Sequence, residues 1–267
     1  MGLFDNVFDK VKQTVNEEKK KQATQTTENT TVSPTEKLRG LGVNMEDISA
    51  MEMNNMTYIC GMAANQGDFD KIKSTFSGLA ASNVVVDLDV LQMYTIVDGD
   101  SPWGVAQKVW GDGNKYPILV EVNNGKDSYF TGDVIKVPSL RNYIGGHKLQ
   151  VILNSLGFSV GAIDGAVGPK TIGALKDFQQ KCDVQTTGKV DSATRKALRM
   201  AFHSGAKLEG MALQYVLKEV GQNPGAIDGV VGAKTQQAIS GFQQSIGIDA
   251  TGNLDEKTVA RLARKFV

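Results

Sequence analysis

The sequence predicts an α+β, multi-domain chain, and three observations carry that expectation. Residues 149–198 align without a gap on residues 213–262, 64 positions later, so one helical design occurs twice. Between residues 34 and 138, short Val- and Ile-rich runs alternate with segments of helical period, the pattern of small mixed sheets. A polar run from Glu17 to Thr31 separates this body from an amphipathic start. At 267 residues the chain exceeds what one core needs, and 41% hydrophobic with 22% charged residues is ordinary for packed domains.

In chain order, Leu3, Phe4, Val7, Phe8, Val11 and Val15 recur at helical spacing, with Asp5, Asp9, Lys10 and Lys12 between them. An amphipathic helix over 1–16 is expected, its apolar stripe docked on the chain's own domains or offered to a partner helix or membrane surface. Residues 17–33 hold too few apolar side chains to offset their ordering entropy, so they are expected as a linker. Over 34–91 the pattern predicts a helix at 36–41, strands at 48–53 and 56–60, a helix at 69–79 with Phe69, Ile72, Phe76 and Leu79 inward, and a strand at 84–90: an αββαβ order.

Over 92–140 a strand at 94–97 leads into Gly99-Asp100-Ser101-Pro102, a helix start with Ser101 as the N-cap oxygen and Pro102 at the first helical position. Trp103, Ala106 and Val109 are expected to face inward. A second helix at 116–122 ends at Asn123-Asn124-Gly125, and a strand at 133–137 completes a βααβ order. The repeats, placed at 146–202 and 208–267, read as three helices each. Gly157 and Gly221 stand where a helix C-terminus favours a left-handed residue, and Asp191 and Asp255 where an N-cap favours a carboxylate. Leu149, Leu153, Leu175, Phe178 and Leu198 form the expected core of the first copy.

Lys plus Arg and Asp plus Glu number 29 each, so no global field draws in nucleic acid or an anionic membrane. The two cysteines, Cys60 and Cys182, fall in different expected domains, which argues against a disulfide, and no Cys/His spacing suggests a metal site. His147 and His203 have no Ser, Cys or carboxylate constellation around them in sequence and are expected at the surface; no catalytic set is found. The strings Gly165 to Thr171 and Gly229 to Thr235 miss the phosphate-loop spacing by one residue and follow no buried strand. Residues 1–15 lack the marks of a secretory signal and no apolar run nears 18 residues, so a cytoplasmic location is expected, with a phage virion or release by lysis as other routes.

Each repeat, through Leu149-Gln150, Gly157, Asp164-Gly165, Gly168, Thr171, Phe178-Gln179, Thr187-Gly188 and Asp191 to Thr194 and their counterparts 64 positions on, closely resembles the peptidoglycan-binding domain type 1 family, a three-helix module. The resemblance implies binding of peptidoglycan or an N-acetylglucosamine-containing cell-wall glycan, and because the expected modules use nearly all of residues 35–267, leaving no stretch for an independent hydrolase, binding without catalysis is expected. Asp164, Gly165, Gly168 and Thr171, with Asp228, Gly229, Gly232 and Thr235, are then either glycan contacts or a structural turn; an Asp beside a Gly commonly hydrogen-bonds nearby amides. Residues 94–138 resemble a LysM module, whose opening appears as Tyr94-Thr95-Ile96-Val97-Asp98-Gly99-Asp100-Ser101-Pro102-Trp103, with Pro102 in place of the usual leucine. That resemblance implies a glycan groove between Gly99, Asp100, Ser101, Pro102 and Trp103 on one side and Asn123, Asn124 and Gly125 on the other. Trp103 and Trp110 are read either as core residues or as rings that stack on sugars. Residues 35–91 are similar to a BON domain. Its pairing with a LysM module resembles a small bacterial potassium-binding family, which implies the alternative function of a cytoplasmic potassium sensor or scaffold with a bound potassium ion.

Overall fold

In the computed structural model of the chain, residues 5–21, 33–53, 56–77 and 84–267 are described. The chain divides into two compact units, one of residues 31–143 and one of residues 144–267 together with the first thirty. The first helix, α1 (Asp5–Lys21), belongs to the second of these. It continues past residue 16 into the expected linker, because the Glu- and Lys-rich sequence there favours helix. Leu3 and Phe4 of the expected stripe lie outside the described residues, as do linker residues 22–32.

In the unit of residues 31–143, α2 (Pro34–Arg39) opens with a reciprocal cap. The Glu36 N–H donates to Ser33 Oγ and the Ser33 N–H to a Glu36 carboxylate oxygen. Strands β1 (Ile48–Met53) and β2 (Met56–Ala63), helix α3 (Gln66–Ser77) and strand β3 (Val84–Val90) follow. The αββαβ order is the expected one, though α3 starts three residues earlier than expected and Leu79 lies outside the described residues. The sheet runs β1-β2-β3, with β1 antiparallel and β3 parallel to β2. Period-two residues Ile48, Ala50, Ile59, Ala63 and Leu88 share one cluster with Leu38 of α2 and with Ile72 and Phe76 of α3, so both helices cover one sheet face.

Strand β4 (Gln92–Thr95) pairs antiparallel with β5 (Val134–Val137), and between them lie α4 (Pro102–Trp110), a 3₁₀ turn at Gly113–Lys115 and α5 (Tyr116–Val122). Ile96, Val105, Ala106, Leu119, Ile135 and Val137 form its core, with Tyr94, Val109, Trp110 and Tyr129 packed against it. The segment after β5 then returns to edge strand β3. Asp89 accepts hydrogen bonds from Ser139 Oγ (2.7 Å), Asn142 Nδ2 (2.7 Å) and Arg141 Nε (3.1 Å), while Arg141 also meets Asp87 at 2.6 Å. Burial raises the Asp89 pKa, and the Ser139, Arg141 and Asn142 contacts together outweigh it, leaving a carboxyl below its ordinary range.

In the other unit, copy 1 comprises α6 (Gly146–Ser155), α7 (Pro169–Lys181) and α8 (Ser192–Gly205), and copy 2 comprises α9 (Gly210–Glu219), α10 (Ala233–Ser245) and α11 (Glu256–Phe266). The expected caps are present. Asp191 and Asp255 accept from the Thr194 and Thr258 N–H groups at 2.9 and 2.7 Å, and Gly157 and Gly221 take φ of 86° and 88°. The α1 stripe docks on copy 1: Phe8 stands edge-on to Phe158 (5.6 Å between centroids) and Phe178 (6.3 Å), with Lys181 Nζ 4.3 Å from its centroid. At Gly205 a Cβ would fall 2.4 Å from Val7 Cγ2, so glycine lets α1 approach the end of α8.

The copies pack on each other through Phe202 and Phe266 (5.7 Å), His147 and Tyr215 (5.0 Å), and His203, whose Nε2 lies 2.7 Å from the Val267 carbonyl oxygen. This corrects the surface placement expected for His203, which is only 6% exposed because the short connection to α9 draws the end of α8 into the seam. His147 is exposed, as expected.

Candidate functional site

Each repeat is organised by two buried glutamines, to which the sequence reading gave no role. Gln150, on α6, spans the turn that begins at Asp164: its Oε1 accepts from the Asp164 and Gly165 N–H groups (3.1 and 2.7 Å), and its Nε2 donates to Asp164 Oδ1 and the Ala166 carbonyl (both 2.9 Å). All four hydrogen-bonding positions of the amide are thereby filled. Gln214 makes three of these four contacts in copy 2, with Gly229 N–H, Asp228 Oδ1 and the Val230 carbonyl at 2.8, 3.0 and 3.1 Å. Gln179 and Gln243 repeat the device between the second and third helices. Each donates to two threonines, Thr187 with Thr194 and Thr251 with Thr258, and to one backbone carbonyl, and accepts from the N–H of Gly188 or Gly252. A neutral amide so fully paired fixes a loop without burying a charge.

Asp164 and Asp228 thus act as turn residues in the structure. Oδ1 of each also accepts from the N–H two residues on, at 2.9 Å in both copies. The Gln150 amide first, then the Ala166 N–H, hold the Asp164 carboxyl below its ordinary range, and Gln214 and Val230 do so for Asp228. Both carboxylates remain exposed, whereas Thr171 and Thr235 are buried at 1%. Gly165 and Gly229 need their left-handed φ of 82° and 83°. Gly168 and Gly232 have ordinary φ, and a Cβ on either would meet nothing within 4 Å. Neither backbone conformation nor packing demands glycine there. Beside them Val167 and Val231 are 47% and 45% exposed, so both copies present an apolar side chain and a bare backbone edge at one matched place.

In residues 92–140 the groove residues implied by the LysM resemblance divide into two kinds. Asp100 is a hub with a side chain only 1% exposed. It accepts from Tyr94 Oη (2.9 Å) and the Val97 N–H (3.0 Å) and pairs with Lys108 at 2.6 Å; the Lys108 contact is the largest cause of its lowered pKa. Ser101 Oγ caps α4 at the Gly104 N–H (3.1 Å) with Pro102 at the first helical position, as expected. Asn123 stitches α5 to β5, donating to the Leu119 and Lys136 carbonyls and accepting from the Lys136 N–H. Gly99, Trp103, Asn124 and Gly125 are exposed, with left-handed φ at Gly99, Asn124 and Gly125. Trp103 corrects the inward face expected of α4. It is 52% exposed, and Val105, Ala106, Val109 and Trp110 form the inward stripe instead.

Comparison with known proteins bears on the repeats. Residues 147–198 and 210–262 match the family model described as a putative peptidoglycan binding domain. The chain carries two of these domains in tandem. It is 28% identical over 182 residues, 56% of its length, to a probable N-acetylmuramoyl-L-alanine amidase of Bacillus licheniformis. Over 57 residues, 21% of its length, it is 42% identical to a putative OxPP cycle protein OpcA of Synechococcus elongatus. The matched parts span half of the amidase and 13% of the second protein. Among the described residues no helix is long and apolar enough to cross a membrane, and no three His, Cys, Asp or Glu side chains are grouped to hold a metal ion.

Proposed function

We propose that the protein holds peptidoglycan multivalently and does not itself cut it. The observation that carries this reading is the duplicated turn: each peptidoglycan-binding-type domain presents the same glutamine-locked loop, with Val167-Gly168 or Val231-Gly232 at its open edge. An exposed valine offers contact to the apolar face of a sugar or peptide stem, and a backbone without a Cβ admits close approach of the ligand, while the Gly168 and Gly232 N–H groups donate within the turn to the Ala166 and Val230 carbonyls. The turns need no rearrangement to bind, which lowers the entropic cost of a shallow contact. Gly99, Pro102, Trp103, Asn124 and Gly125 supply a further glycan surface, with Asp100, Ser101 and Asn123 fixing its loops rather than touching the ligand. Sites that are weak singly become strong together when one chain links them.

The test is co-sedimentation of the full chain with insoluble peptidoglycan sacculi. Retention in the pellet is expected, reduced at least several-fold in a chain carrying both Val167→Asp and Val231→Asp. A chain that stays in the supernatant would sink the proposal. Incubation of the full chain with sacculi in a gel is expected to leave them uncleared, and clearing would overturn the non-catalytic part.

A further inference from the structure

We infer that the outer edge of β4 is a pairing surface for a second copy of this chain, joined strand to strand about a two-fold axis at Tyr94. Among the described residues β4 has one strand neighbour, β5. Lys136 of β5 turns its N–H and carbonyl away from β4, to the Asn123 side chain, so Met93 and Lys136 face each other without exchanging hydrogen bonds. Two residues on, Thr95 and Val134 stand in the same relation, and the intervening alternation is visible at Ile96, whose N–H points inward to the Asp133 carbonyl (2.8 Å). Met93 and Thr95 therefore aim their own N–H and carbonyl groups outward, and among the described residues nothing takes them. The edge is closed on either side of this stretch. The Leu91 N–H donates to the Ala63 carbonyl at 2.8 Å, and Asp100 takes both the N–H and the carbonyl of Val97, at 3.0 and 3.1 Å.

Three features select a second copy as the occupant. The open stretch is symmetric, since Leu91 and Val97 bound it at equal distances from Tyr94. An antiparallel copy centred there sets Met93 of each chain opposite Thr95 of the other, and every outward N–H meets a carbonyl. From Leu91 to Val97 the sequence holds no charged residue and no proline, the devices by which edge strands avoid one another. The side chains beside the edge are apolar and lifted into solvent: Met93 is 55% and Val134 58% exposed, on the sheet face opposite the core of Ile96, Ile135 and Val137. Across the seam each row on that face reads Lys136, Met93, Thr95, Val134, and the two lysines fall at opposite ends of different rows, so like charges do not meet. So short a seam buries less than a lasting dimer needs, and the association is therefore reversible. A pair carries two tandem sets of peptidoglycan-binding-type domains, and chains crowded on one surface would be linked into a stronger hold.

Sedimentation equilibrium of the full chain is expected to show an average mass that rises from 28.7 kDa toward twice that value as concentration enters the high micromolar range. Thr95→Lys sets an ammonium opposite Met93 and should weaken association about fivefold or more. Adding Met93→Glu to the same chain sets a carboxylate opposite each ammonium and should restore association, less fully in high salt. Melting temperature should hold in both, because both side chains are exposed. In the unaltered chain, amide exchange at Met93 and Thr95 should slow as concentration rises. A mass of one chain at every concentration overturns the inference, as does exchange at these two amides that ignores concentration. Association indifferent to Thr95→Lys, or a loss that Met93→Glu fails to recover, also overturns it, because only the register centred on Tyr94 brings positions 93 and 95 together. None of these outcomes depends on a glycan, so wall binding stands or falls separately.

Discussion

Copy 1 presents Phe158, Lys181 and Cys182 to α1, where copy 2 has Gln222, Ser245 and Ile246 at the matched positions. The glutamine hubs and the helix caps are the same in both. Cys182 and Val184 are buried, yet Ile246 and Ile248 are only half-buried although both are larger. The residues common to the copies set the three-helix fold, and those that differ make a seat for a fourth helix on copy 1 alone. The amphipathic start is therefore part of a domain that begins more than a hundred residues later in the chain.

The most forceful way to break this contrast is to empty the seat. Phe8→Ala removes a ring that is 2% exposed and lies against Phe158 and Phe178. A loss of about 3 kcal/mol in urea unfolding is expected, the usual cost of truncating a buried aromatic. Copy 1 should open first, and the reporter is Cys182, fully buried with its thiol pushed by that burial to about 12. It should resist iodoacetamide at pH 8 in the parent and react in the variant. Equal protection in both would show that α1 does not cover copy 1.

A smaller effect sharpens what the copies share. Gln179→Leu and Gln243→Leu each strand loop groups that the amide had satisfied, with an expected loss of about 1–3 kcal/mol. The two losses should agree within measurement error. If only the copy 1 variant is destabilised, the hub in copy 2 is not equivalent.

Smallest is the pH effect. Asp164 and Asp228 have folded pKa values below their ordinary 3.8, so the stability they contribute is present above that value and is lost as pH falls through the lowered one. Melting temperature should be level from pH 7 to about 5 and fall below about 4. Asp228→Asn, which keeps the Oδ1 acceptor for Gln214 and Val230, should make the acid limb shallower while leaving the pH 7 value nearly unchanged. An identical acid limb would count against a charged Asp228 in the turn.

The regular elements were legible because their signals are local. Ser101-Pro102 marked the start of α4, Asn123-Asn124-Gly125 the end of α5, and the 64-residue offset gave both three-helix copies at once. Trp103 was misplaced because Ala106 and Val109 fit two adjacent helical stripes, and only Gly113, ten residues on, decides which one holds the tryptophan. His203 was misplaced because its environment is a seam between copies, made by Phe266 and Val267 at the far end of the chain. The hubs are hard to read from sequence because Gln150 and Gln179 are polar residues at core-facing positions. The signal was nonetheless present: a glutamine follows an apolar residue at Leu149-Gln150 and Phe178-Gln179, and the same pairs return at Leu213-Gln214 and Phe242-Gln243.

The separation of α1 from its seat has a consequence for biosynthesis. A ribosome completes α1 long before it has made α8, with the whole of residues 31–143 to come between them. At about 5–20 residues per second, the Val7, Phe8 and Val11 stripe waits on the order of ten to forty seconds for the surface that will cover it. During that interval the α1 stripe is open to chaperone capture, and copy 1 can finish only by reaching back to it.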